Sequence, residues 1–245
     1  MIPKVIHQIY GLCPKDANKD IPSDLLKYSK TWQEKNPTWK YKLWDRRQVE
    51  ILLNDAPSEW KDTFYTLEHW VEQCDFARYY ILYTYGGIYA DMDTVCKVPA
   101  ETFTSNIPKI TNDTLIVGIE ADVNEAQQEF NNLARKRQLC QWTFASTPKH
   151  PGLYALLNKI ALESSKSCFI KRSVLNRTGP GVFTDALVNR NDIIILPISA
   201  FGCGQPHSDS PDASHESCFV VHKFEGSWKV SPWLRPIQKL VKSIF

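Results

Sequence analysis

Apolar and polar positions alternate most clearly at Trp39–Trp44, WKYKLW, where large apolar side chains take turns with lysine. A period of two predicts a half-buried strand. Lys4–Tyr10, KVIHQIY, is largely apolar and predicts a buried strand that stops at Gly11. Leu115–Glu120, LIVGIE, Ile193–Leu196, IIIL, and Phe219–His222, FVVH, predict three more. Helical spacing is found at Leu25, Leu26, Tyr28, Ser29 and Trp32, after a cap at Ser23 and before Asn36-Pro37. It returns in pieces from Arg46 to Trp70, broken near Pro57, and again at Leu153, Leu156, Leu157, Ile160 and Ala161. Leu139–Ser146 is an apolar run carrying Gln141 and Trp142, while residues 121–137 are polar and suit a surface loop or a helix start. Thr178-Gly179-Pro180-Gly181 predicts a tight turn before a helix near Val182, with amides that can face a phosphate or a sugar. Residues 202–217 form a long polar, turn-rich loop.

One stretch departs from simple periodicity. Asp75–Asp93, DFARYYILYTYGGIYADMD, predicts a helix opening at Asp75, a stop at Gly86-Gly87, and a short buried strand ending in two carboxylates. Glycine stops a helix because it reaches positive φ without steric cost. Asp75 and Arg78 share a helix face three residues apart. Asp91 and Asp93, two apart on extended chain, point the same way, and such a pair of hard oxygen ligands suits Mg²⁺ or Mn²⁺. Two solvated aspartates in a turn is the plain alternative, and an exposed i,i+3 ion pair is the plain alternative for Asp75 and Arg78.

Elsewhere, His7 and Gln8 fit packing or loop-orienting roles, and Tyr10 fits either a core position or a base-stacking one. Asp45, after the second strand, is placed either to bind a ribose hydroxyl or to cap the helix starting at Arg46.

With 245 residues and 43% hydrophobic content, the chain predicts one large domain, over residues 1–230, followed by an amphipathic tail over 231–245. Trp233, Ile237, Leu240, Val241 and Ile244 share a face of that tail beside Lys239 and Lys242. It either docks on the body or lies on an anionic membrane surface as a peripheral contact. A net charge of +2 gives no case for nucleic acid. The 8 Trp and 10 Tyr tilt toward grooves that hold sugars and bases. No run approaches the roughly 18 apolar residues of a membrane span, and no secretory signal opens the chain. The seven cysteines (Cys13, Cys74, Cys96, Cys140, Cys168, Cys203 and Cys218) are odd in number and scattered, predicting free thiols and a cytoplasmic setting. A Golgi setting would require that an N-terminal anchor had been removed. Cys203, His207, His215 and Cys218 have zinc-ligand chemistry but match none of the tight structural-zinc spacings.

Several motifs agree with one family. IPKVIHQIYG (2–11), the segment from Trp32 through NPTWKYKLWD to Asp45, CDFARYYILYTYGGIYADMD (74–93), QWTFASTPKHPGL (141–153), TGPGVFTDAL (178–187) and VHKFEGSW (221–228) span nearly the whole chain. Together they make it similar to the D-x-D glycosyltransferases of family 32. That resemblance implies an α/β GT-A fold, a Rossmann-like single domain with a central mixed, mostly parallel sheet flanked by helices. It also implies a nucleotide-diphosphate-sugar donor, a glycan or glycolipid acceptor, a Mn²⁺ or Mg²⁺ ion, and retention of anomeric configuration. Carried over by position, Asp91 and Asp93 would hold the metal and, through it, the diphosphate. Tyr89 would line the donor pocket, Asp75 would hold sugar hydroxyls, and Arg78 would meet the sugar or phosphate. Ile9 and Tyr10 would contact the base. Ser227 and Trp228 would close over the diphosphate. His222 is a candidate for the metal or phosphate, although Lys223 stands where the family often has a second histidine.

The expected function is metal-dependent transfer of a hexose from GDP-mannose or a UDP-hexose. Two other classes fit the same residues. One is a sugar-nucleotide or glycan-binding module without catalysis, which would not hydrolyse a nucleotide sugar. The other is a metal-dependent nucleotidyltransferase, which nucleoside triphosphates would stabilise.

Overall fold

The computed structural model describes residues 1–13, 16, 19–105, 113–166, 172–205 and 210–225. In chain order the elements are β1 (Val5–Ile9), α1 (Ser23–Lys35), β2 (Lys40–Trp44), α2 (Arg46–Leu53), α3 (Ser58–Thr66), α4 (Trp70–Tyr85), β3 (Gly87–Ala90), β4 (Thr94–Cys96) and α5 (Glu101–Thr104). They continue with β5 (Leu115–Asp122), α6 (Glu125–Phe130), β6 (Arg137–Ser146), α7 (Pro151–Ser164), α8 (Val174–Arg177), α9 (Pro180–Leu187), β7 (Ile193–Leu196), α10 (Ile198–Phe201) and β8 (Val220–His222).

Six strands form one sheet in the order β2-β1-β3-β6-β5-β7. All pairings are parallel except those of β6, which runs against both β3 and β5. The expected mixed, mostly parallel sheet is therefore present, with β6 as its reversed strand. A parallel sheet needs cover on both faces, and two apolar clusters supply it. One gathers Leu52, Trp60, Phe64, Phe76, Tyr79, Phe144, Leu156 and Phe183 from α2, α3, α4, α7, α9 and the sheet. The other gathers Trp32, Trp39, Ile88, Ile116, Phe103, Phe201 and Val220. A two-stranded antiparallel sheet, β4 with β8, stands on the second side.

Helix α4 begins earlier than expected. It opens at Trp70, where the His69 amide donates to Glu72 Oε2 at 3.1 Å, so Asp75 lies in its second turn and is buried. The helix packs on several sides and has no polar stripe to mark its start. Gly86 ends it at φ +64°. Gly87 follows at φ +93°, and a Cβ there would stand 2.5 Å from Val5 O. No other residue permits β1 and β3 to approach so closely at that backbone angle. His7 supports the same turn. Its Nδ1 accepts from Trp44 Nε1 at 3.0 Å, which leaves Nε2 to donate to Gly86 O at 3.1 Å. Burial pushes the His7 pKa down to about 4, so the ring stays neutral at pH 7.

The free-thiol expectation fails at one pair. Cys203 and Cys218, 15 residues apart, form a disulfide beside β8. The zinc alternative falls with it, since both sulfurs are used and His215 Nδ1 interacts with the Ser217 hydroxyl. The cytoplasmic expectation loses the support it drew from free thiols. Cys13, Cys74, Cys96 and Cys140 are free, as expected. The amphipathic tail expected over 231–245 lies outside the described residues, as do Cys168 and His207. Among the described residues no helix is long and apolar enough to cross a membrane. Replacing Cys203 and Cys218 together by serine is expected to lower the unfolding free energy by about 3 kcal/mol, as a closed loop of this length implies. Urea denaturation of the double variant against the oxidised protein checks this value.

Candidate functional site

Parallel strands deliver their carboxyl ends to one edge of a sheet, and ligands gather there. In this chain that edge bears a cavity of about 490 Å³. Ile9, Tyr10, Asp75, Arg78, Tyr89, Asp91, Asp93 and His222, all singled out from the sequence, line it together. Asp45 does not. Its carboxylate accepts from the Gln48 amide at 2.7 Å while Gln48 Oε1 accepts from the Asp45 amide at 3.1 Å. Of its two expected roles, the helix cap is the one the geometry supports. Ser227 and Trp228 lie outside the described residues.

The two aspartates after β3 do not continue the strand. Asp91–Met92–Asp93 is a turn, closed where the Thr94 amide and hydroxyl donate to Asp91 O at 3.1 and 2.6 Å. The Asp91 amide donates to Trp142 O at 2.8 Å, and Gln8 Nε2 donates to Asp91 O at 3.1 Å. Buried Gln8 is fixed in turn by the Tyr41 hydroxyl, 2.8 Å from its Oε1. The backbone beneath the carboxylates is thus held from three strands at once.

The side chains form one charged network. Arg78 Nη2 lies 3.2 Å from Asp75 Oδ1 and 3.5 Å from Asp91 Oδ1, and Nη1 donates to Gln141 O at 3.3 Å. Its guanidinium carbon stands 5.0 Å from the Tyr89 ring centroid. The Tyr89 hydroxyl donates to Asp91 Oδ1 at 2.6 Å, and Thr178 Oγ1 donates to Asp75 Oδ2 at 2.9 Å. Burial lifts the Asp75 pKa to about 6, against the pull of Arg78. Burial also raises Asp91; Arg78 opposes the shift and the neighbouring Asp93 adds to it. Asp93 goes the other way. Burial pushes it up, but His222 and the Glu225 amide outweigh that and hold it below the usual carboxylate range. Arg78 stays charged because Asp91, Tyr89 and Asp75 together overcome its burial.

Two carboxylates, Asp75 and Asp91, therefore face one guanidinium, and Asp93 stands beside them on His222, an excess of negative charge that a dication offsets. Asp91, Asp93 and His222 each offer one ligand atom within 4.8 Å of the others. His222 Nε2 lies 3.1 Å from Asp93 Oδ1, and its buried Nδ1 has no partner among the described residues. The ring is stacked on Trp142 at 4.8 Å and is met edge-on by Phe224 at 3.9 Å. Two carboxylate oxygens and a rigidly stacked imidazole form a donor set that fits a divalent cation.

Away from these charges, on the β1 side, the cavity is mainly apolar, with Ile9, Leu12, Leu25, Trp70 and Val71 beside Tyr10. On the other side stand Glu120, Gln141 and Trp142, whose places at the cavity the sequence left unmarked. A break in strand pairing aims two of them. Val117 pairs with Phe144 and Ile119 with Leu139, so one residue of β5, Gly118, stands opposite four of β6. Bulges of this kind re-aim side chains. Gln141 is then fixed by the Tyr79 hydroxyl, which sits between Gln141 Oε1 and Thr178 O. Glu120 did carry a signal, as a carboxylate closing an apolar strand at its carboxyl end.

The family described as "Glycosyltransferase sugar-binding region containing DXD motif" matches residues 22–110. The chain is 32% identical to the initiation-specific alpha-1,6-mannosyltransferase of Schizosaccharomyces pombe, across 93% of this chain and 64% of that protein. It is 29% identical to the Candida albicans protein of the same name, across 86% of this chain and 68% of that one. The chain thus spans about two thirds of the length of these relatives. A solved galactosyltransferase, LgtC, in complex with donor and acceptor sugar analogues, superposes with a TM-score of 0.52 at 9% identity, covering 98% of this chain and 95% of that one. At that identity the likeness is one of fold.

Asp45→Ala is expected to cost about 1 kcal/mol of stability, the usual price of a lost N-cap. Denaturant melts should show this loss, with nucleotide-sugar affinity kept within twofold of the parent; a larger loss of affinity would return Asp45 to the ligand.

Proposed function

Because the chain belongs to the glycosyltransferases with a DXD-containing sugar-binding region and has a GT-A fold, we propose that it transfers a hexose from a nucleoside-diphosphate sugar to a glycan or glycolipid acceptor. The observation that carries this reading is the single cavity in which Asp91, Asp93 and His222 stand beside the Asp75–Arg78 pair. Mannose from GDP-mannose is the donor we favour, since the relatives of highest reported identity are named mannosyltransferases. The metal is Mn²⁺ or Mg²⁺, with the imidazole of His222 favouring Mn²⁺.

The donor lies along the cavity. Its base occupies the apolar end at Ile9 and Tyr10, and its diphosphate meets the Asp91–Asp93 turn. When bound, the cation supplies Lewis-acid stabilisation of the diphosphate as it departs. Arg78 adds a positive charge already fixed by Asp75 and Asp91, so no reorganisation is needed as charge builds. Asp75, held by Thr178 and Arg78, accepts hydrogen bonds from donor-sugar hydroxyls. The bond from the anomeric carbon to the phosphate oxygen breaks, and the acceptor oxygen bonds to that carbon on the same face. The acceptor's proton passes to the departing diphosphate, and configuration is retained.

Two measurements test this reading. In a thermal-shift panel with Mn²⁺, GDP-mannose at a hundred times its Kd should stabilise the protein by about 2.7 kcal/mol. Stabilisation by nucleoside triphosphates alone would point to nucleotidyl transfer, and binding without any turnover to a non-catalytic module. Asp91→Asn and Asp93→Asn should each weaken Mn²⁺ at least tenfold by titration calorimetry and lower transfer at least a hundredfold. Full Mn²⁺ affinity in both variants would remove the metal assignment.

A further inference from the structure

Side chains from successive strands line the cavity in the order of the strands themselves. Ile9 comes from β1, Asp91 from the end of β3, Gln141 from β6, and Glu120 from β5. Neighbouring strands are roughly 4.8 Å apart, so Glu120 stands about 10 Å along the sheet from the β3 carboxylates. It lies on the side away from the apolar end and outside the Asp91–Asp93–His222 group. If the base lies at β1 and the diphosphate at β3, the donor hexose lies over β6. The next position along the sheet is where the acceptor must arrive.

Glu120 is built to present a carboxylate there. It is only 7% exposed, two residues before the carboxyl end of β5. Gln138 Nε2 donates to its Oε2 at 2.8 Å. Gln138 is itself oriented, because its Oε1 accepts from the Ala134 and Arg135 amides at 2.8 and 3.2 Å. Those two bonds fix which way the carboxamide faces, so its nitrogen is directed at Glu120. Gln138 thereby holds the Glu120 carboxylate in place at the cavity wall. Val174, Leu175 and Pro180 give the same cavity an apolar wall. Fixed acceptor oxygens beside an apolar wall match a pyranose, whose hydroxyls donate and whose ring carbons do not.

We propose that Glu120 is an acceptor-binding residue, its carboxylate taking a hydrogen bond from a hydroxyl of the incoming acceptor sugar, with Gln138 as its positioning residue. The assignment rests on the glycosyltransferase reading and adds to it the place where the acceptor binds. Glu120 has no part in donor binding and takes no proton in the transfer.

The test compares Glu120→Gln with the parent protein, using GDP-mannose, Mn²⁺ and a panel of methyl hexosides as acceptors, with transfer and donor hydrolysis measured side by side. A hydrogen bond to a charged group is worth roughly ten- to hundredfold in binding. The acceptor KM should therefore rise by about that factor, and the ratio of transfer to hydrolysis should fall by at least tenfold. An acceptor KM and a transfer ratio both within twofold of the parent would overturn the proposal. So would loss of the donor-induced thermal shift, which would place Glu120 at the donor end. Should Glu120→Gln fail to fold, Glu120→Asp, which keeps the charge but withdraws it by one methylene, is read by the same criteria. If the parent hydrolyses the donor but transfers to no methyl hexoside, the acceptor assignment falls alone. If the parent neither binds nor hydrolyses GDP-mannose or any UDP-hexose, the glycosyltransferase reading falls and takes this assignment with it.

Discussion

A buried guanidinium between a buried carboxylate and a partly buried one organises this molecule. Arg78 reaches Asp75 on its own helix and Asp91 at the end of the next strand. Dehydrating each ion costs several kcal/mol. At about 4 Å in protein surroundings each attraction returns roughly 4 kcal/mol. The three charges are therefore tolerable together and costly apart. Helix α4 and strand β3 must meet at one angle and one distance for the trio to form, and Gly86 and Gly87 make that meeting sterically possible. The core on either side of the sheet then holds the arrangement in place.

The same charges set the electrostatic character of the cavity. Asp75 and Asp91 are both pushed toward protonation by burial, whereas Asp93 is held ionised by His222 and a backbone amide. Neighbouring carboxylates are thus driven in opposite directions by their surroundings. His222 arrives from a distant part of the chain on β8, and that strand pairs with β4, which begins at Thr94, the residue that closes the Asp91 turn. The third donor of the cluster is placed by the same few residues that shape the first two.

Much of this was legible in the sequence. The alternation at Trp39–Trp44 marked β2, and IIIL matched β7 to the residue. The Asp75–Asp93 stretch showed helix, glycine stop, strand and carboxylates in their true order. What was not legible has physical causes. Helix α4 is covered on several sides, so polar Asp75 read as its beginning when it is an interior position. The Asp91–Asp93 turn is made by Thr94, whose two bonds leave no periodic trace. Gln141 and Trp142 are aimed by a slip in pairing between β5 and β6, which depends on both strands. The Cys203–Cys218 disulfide depends on where β8 packs, and spacing alone does not reveal that.

The reversal of β6 has one more consequence. Because β5 and β6 run antiparallel, the connection between them, residues 123–136, emerges at the same edge as the cavity and beside Glu120. None of Asp91, Asp93 and His222 belongs to it. Residues there can be added or exchanged without moving Asp91, Asp93 or Arg78. The fold thus separates the Asp91–Asp93–His222 cluster and Arg78 from a connection that stands beside Glu120 at the same cavity.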